Sequence, residues 1–152
     1  MEENKSITEE NTSNEYSLIK LSTIYGGAMV EIGILKFRNN TLIERYLTVC
    51  KPEKPVEEAV NETTEITKQE LENADTLDKV MPKVLDIIGD STILSRNGKT
   101  TRDILDYQCK KLGLKINNPY KNIKDLSKEE YNQIKTSISD LLSETIGLAT
   151  KA

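Results

Sequence analysis

From Tyr16 the chain alternates apolar and polar side chains with the two-residue period of a strand. Ser17-Leu18-Ile19-Lys20-Leu21-Ser22-Thr23-Ile24 forms this run, which closes at Gly26-Gly27. Met29 to Phe37 (MVEIGILKF) is almost continuously apolar, which predicts a central strand buried on both faces. Arg38-Asn39-Asn40-Thr41 reads as a turn, because asparagine tolerates left-handed backbone angles. Leu42 to Val49 returns with β-branched and aromatic residues suited to a third strand. Three strands joined by short turns predict an antiparallel meander.

After Pro52 and Pro55 the period lengthens to that of a helix. Residues 56–62 and 68–72 read as short helical segments. Leu77, Val80, Met81, Val84, Leu85 and Ile88 form an apolar stripe that ends at Gly89. Pro82 inside the stripe predicts a kink or a late helix start. Thr92 to Ser95 is a short strand. Thr100 or Thr101 is the expected cap of the next helix, with Ile104, Leu105, Cys109 and Leu112 inward and Gly113 as its stop. Lys115 to Lys124 reads as a loop. Ser127-Lys128-Glu129-Glu130 is a capping-box pattern that opens a last helix carrying Ile134, Ile138, Leu141 and Leu142. The order β-β-β-α-β-α-loop-α predicts an α/β domain, a mixed sheet with helices packed on it.

The 152 residues suffice for one domain, and the 36% hydrophobic content for one modest core. Net charge is −4, and residues 1–15 account for all of it with five Glu and one Lys. That segment is expected to be a disordered acidic tail, with residues 16–152 as the folded domain. Within the body, residues 51–90 carry eleven acids against five bases, and residues 91–135 ten bases against five acids. This asymmetry predicts one basic face. No histidine occurs, which excludes imidazole nucleophile pairs, imidazole bases and imidazole metal ligands. Cys50 and Cys109 are too few for a zinc site and read as reduced core residues of a cytoplasmic protein. No segment has the length of a membrane span or the core of a signal peptide, so no membrane partner is expected and the three N-x-S/T triplets read as chance.

Several segments in order carry a resemblance. Val30 to Phe37 (VEIGILKF), Glu65-Ile66-Thr67 with Leu71, and Ala74 to Asp90 (ADTLDKVMPKVLDIIGD) are three of them. Ser95-Arg96-Asn97-Gly98-Lys99, Cys109 to Leu114 (CKKLGL) and Ser137 to Leu148 (SISDLLSETIGL) complete the series. Together, over residues 16–148, they resemble the DEDD 3′-to-5′ exonuclease superfamily, in particular the epsilon-type proofreading domains of bacterial DNA polymerase III. The resemblance implies a ribonuclease H-like fold, a five-stranded mixed sheet flanked by helices. It also implies four carboxylates around two divalent metals, with a histidine or tyrosine to position the attacking water.

The sequence departs from that pattern where the chemistry would sit. On this reading the family's first aspartate is replaced by Ser22, its glutamate by Ile24, the histidine of the second motif by Arg96 and its aspartate by Thr101. The terminal catalytic helix is expected to be absent. Glu31 is placed away from the metal-facing strand end. Asp103 and Asp106 are expected on other faces of their helix, and Asp125 alone cannot hold two ions. The expectation is therefore a degenerate member without its metals or other cofactor, serving as a protein-interaction module for a protein partner or a second copy. Ile24, Tyr25, Met29 and the glycine turn would then supply an apolar surface. The alternative is a non-catalytic nucleic-acid binder, with Tyr25, Arg96, Asn97, Lys99 and Arg102 as contacts at the former site. A third reading is a metal-dependent nuclease with rewired or partner-supplied ligands.

Overall fold

A computed structural model describes residues 14–24, 28–52 and 66–143. Strands β1 (Glu15–Ile24), β2 (Ala28–Arg38) and β3 (Thr41–Val49) form the expected meander. Helix α1 (Lys68–Asn73) and α2 (Leu77–Ile88) follow, then β4 (Thr92–Ser95), α3 (Gly98–Lys111), β5 (Tyr120–Asn122), a 3₁₀ turn (Ile123–Asp125) and α4 (Lys128–Ser143). The sheet runs β3-β2-β1-β4-β5. β1–β2 and β2–β3 are antiparallel, whereas β1–β4 and β4–β5 are parallel.

The alternation of β1 distributes its side chains to two cores. Ile19 packs with Ile32, Ile34 and the inward faces of α2 and α3, including Val80, Met81, Val84 and Leu105. Leu18 turns to the other face, where Leu35, Phe37 and Leu94 meet Ile134, Ile138 and Leu141 of α4. β2 is buried along almost its whole length, as its apolar run requires. The β2–β3 turn holds Asn39 at φ 51° and Asn40 at φ 67°, the left-handed pair the sequence predicts.

Four local expectations are corrected. α2 is helical from Leu77, so Pro82 does not mark a late start; it sits on the exposed side, where water can serve the carbonyl that lacks its N–H partner. Asn97, not Thr100 or Thr101, caps α3, its side chain accepting the Thr100 amide at 3.1 Å. The expected loop 115–124 contains β5, which completes the five-stranded sheet. Glu15, assigned to the tail, opens β1 and pairs with Arg38 at 2.7 Å. The rest of that tail, except Asn14, lies outside the described residues, as does the helical segment expected at 56–62.

Candidate functional site

β1 and β4 run side by side only from Tyr16/Thr92 to Leu18/Leu94. Beyond that point β1 continues with β2, while β4 ends at Ser95 and the chain turns through Arg96 and Asn97 into α3. The strands part and leave a crevice of about 280 Å³ at the carboxyl ends of two parallel strands. Open α/β sheets characteristically receive ligands at such a place. Its lining combines apolar Ile19, Leu21 and Ile104 with polar Thr23, Ser95, Asn97, Thr100 and Thr101 and the cationic Lys20 and Arg96.

Of the residues singled out in the sequence, Arg96, Asn97 and Thr101 line this crevice together. The other residues of that reading lie elsewhere. Ser22 does not line the crevice: its hydroxyl donates to the Glu31 carboxylate at 2.7 Å. The two residues face each other in the β1–β2 register, just before a bulge after which Thr23 pairs with Met29. Glu31 is therefore beside this strand end, not away from it, and is 3% exposed. Lys99 is outside the lining and pairs with Asp103 at 3.1 Å one turn along α3. Arg102 is also outside it and lies 5.9 Å from the ring centroid of Tyr120. Asp103 and Asp106 are exposed on α3. Met29 is fully buried and supplies no surface. The Ile24 side chain, Tyr25 and the two glycines fall outside the described residues.

Lys20 is the residue sequence reasoning missed. It lies two positions before Ser22 in the same alternating run, and only the parting of β1 from β4 brings it to the crevice. Ser95 was missed as well. Its hydroxyl is buried and has no hydrogen-bond partner among the described residues.

The resemblance implies two divalent ions, and the crevice does not suit them. Mg²⁺ and Mn²⁺ need several anionic oxygens, whereas this lining offers hydroxyls, one amide and two cations. Among the described residues, no three His, Cys, Asp or Glu side chains gather closely enough to hold a metal ion.

Comparison with known proteins follows the fold. The model of the RNase T-type exonuclease family matches residues 18–149. The PolC-type DNA polymerase III of Thermotoga maritima is 29% identical over 121 residues, covering 79% of this chain and 9% of that protein. The same polymerase of Clostridium perfringens is 21% identical over 145 residues, covering 93% of this chain and 10% of that protein. The chain thus spans about a tenth of the length of these relatives. Exonuclease I without ligand superposes with a TM-score of 0.59 at 11% identity, over 74% of this chain and 29% of that one, a likeness of fold. With the five-stranded mixed sheet in the same ribonuclease H-like arrangement, the chain belongs to the RNase T exonuclease family of the DEDD superfamily.

Proposed function

We propose that this domain is a catalytically inactive member of its family and acts by binding, as a protein-interaction module in a DNA- or RNA-related setting. The observation that carries this reading is the lining of the crevice, where cations and hydroxyls stand and no carboxylate does. Metal-assisted phosphodiester hydrolysis needs anionic ligands to fix its ions, and two cations in their place oppose ion entry. The relatives are DNA polymerases, which supplies the setting. A protein partner is supported by β3, which is one of the two edges of the sheet and exposes Leu42 and Ile43 by 44% and 43%.

A second reading, binding of nucleic acid, is favoured by one observation: the exposed Arg96 forms no ion pair among the described residues. The same assay tests inactivity and the third reading, a nuclease with substituted ligands. End-labelled single-stranded DNA is incubated with the protein and millimolar-range Mn²⁺, with EDTA as the control. The expected result is an unchanged substrate under both conditions. Digestion that requires Mn²⁺ and stops with EDTA would overturn the proposal.

A further inference from the structure

The Ser95 side chain poses a specific problem. The residue is 2% exposed, and its Oγ is buried without a hydrogen-bond partner among the described residues. A buried hydroxyl left unpaired is costly, so a native structure that keeps one calls for a partner the protein itself does not provide. Ser95 lines the crevice, so that partner would enter from there.

The surroundings define its chemistry. The next residue, Arg96, is exposed, lines the same crevice and has no ion-pair partner among the described residues, and Lys20 lines it from β1. The amino terminus of α3, a helix of fourteen residues, lies at this crevice and carries the positive end of the helix dipole. Two of its first amides are already engaged: that of Gly98 donates to Asn122 Oδ1 at 2.6 Å and that of Thr100 to Asn97 Oδ1 at 3.1 Å. The site therefore rests on side chains more than on a backbone cradle. Thr23, Thr100 and Thr101 add hydroxyls, and the lining contains no carboxylate to repel an anion. A volume of about 280 Å³ exceeds what one water needs, about 30 Å³.

We infer that this crevice binds a phosphoryl group directly, without a metal ion, with Arg96 as its main charge partner and the Ser95 hydroxyl as a buried donor. Tetrahedral oxyanion geometry suits this arrangement: the planar guanidinium engages two oxygens, and the hydroxyl donates to a third. The inference rests on the reading that the crevice no longer holds divalent ions. The group has two sources, a free nucleotide or the phosphorylated end of a nucleic acid strand, and both present the same phosphate monoester.

The test titrates the full chain, in EDTA, with inorganic phosphate, then a nucleoside 5′-monophosphate, then a 5′-phosphorylated single-stranded oligonucleotide. Binding is read from backbone amide shifts. The expected result is saturable movement of the Ser95 to Thr101 amides with phosphate, and tighter binding by whichever of the other two ligands is the source. Arg96→Gln should weaken binding about tenfold and Ser95→Ala several-fold. Lys99→Gln, outside the crevice, should leave it unchanged. Arg96 and Lys99 are exposed and Ser95→Ala is conservative, so all three variants should fold, and unchanged spectra away from α3 would check this. No saturable shift in EDTA or with Mn²⁺, a sign that water alone satisfies Ser95, overturns the inference and leaves the inactive reading standing. Binding that appears only with Mn²⁺ overturns both.

Discussion

Ser127 and Glu130 at the start of α4 close a reciprocal pair: the Glu130 amide donates to Ser127 Oγ and the Ser127 amide to the Glu130 carboxylate, each at 3.0 Å. The Tyr16 hydroxyl also reaches this carboxylate, at 3.3 Å, and so ties β1 to α4. The Ser127 backbone amide above all, then its hydroxyl, Lys121 and Tyr16, holds the Glu130 carboxyl below its usual range, against an opposing effect of partial burial. A depressed carboxylate stabilises the fold above its unfolded-state pKa, about 4.3. That contribution is lost as pH falls through the folded-state value. Ser127→Ala should cost about 1 kcal/mol in urea unfolding at neutral pH. Glu130→Gln should flatten the loss of stability below about pH 4.5; an unchanged acid limb would remove the carboxylate from this role. This cap is legible in the sequence because all its members lie within four residues. The Asn97 cap was not, since Thr100 and Thr101 compete for the same role in the string of letters. Glu31 was misplaced because its partner depends on the β1–β2 register and a bulge, which no local pattern encodes.

At the scale of elements, the apolar stripe of α2 and the meander were legible because each repeats one period over many residues. β5 was not: three residues show no period, and their strand character comes from pairing with β4. Its entry is fixed by a bond from the Ile93 amide to the Pro119 carbonyl at 2.8 Å, and its exit by Asn122, which accepts from Gly98. A Cβ at Gly98 would meet Asn122 Oδ1 at 3.0 Å, so any larger residue there would have to displace the Asn122 side chain by a few tenths of an ångström. α4 covers its side of the sheet through one narrow row, Ile134, Ile138 and Leu141, against Leu18, Leu35, Phe37 and Leu94. Ile138→Ala should therefore cost about 2–5 kcal/mol by chemical denaturation. A cost below 1 kcal/mol would show that α4 contributes little to the packing.

For the molecule as a whole, the two cysteines report on the integrity of the larger core, on the α2 and α3 side of the sheet. Cys50 and Cys109, 0% and 1% exposed, belong to the same cluster beneath α2 and α3. Burial, with the Glu31 and Asp75 carboxylates adding to it, pushes the Cys50 thiol up to about 12. Burial, then Asp106, raises Cys109 too. A raised thiol stabilises the fold fully below its unfolded-state value, near 8.5. That contribution is lost as pH rises through the folded-state value, for Cys50 about 12. A disulfide reagent at pH 8 should find neither thiol in the native protein and both in denaturant, with reactivity appearing at the unfolding midpoint. Reaction of either under native conditions would reveal local opening.

The whole-molecule plan was legible as a meander followed by strand and helices, but the order of strands was not, and the crevice depends on that order. β1 is hydrogen-bonded to β2, its neighbour in sequence, and to β4, with Tyr16 opposite Thr92. The two pairings therefore differ widely in loop-closure entropy. The hairpin can form as soon as both of its strands exist, whereas the parallel seam waits for the intervening chain to be made and collapsed. Until β4 arrives, β1 presents an open edge backed by apolar residues on both faces. The crevice takes shape only when that seam closes, so it cannot exist before the chain between β2 and β4 has collapsed.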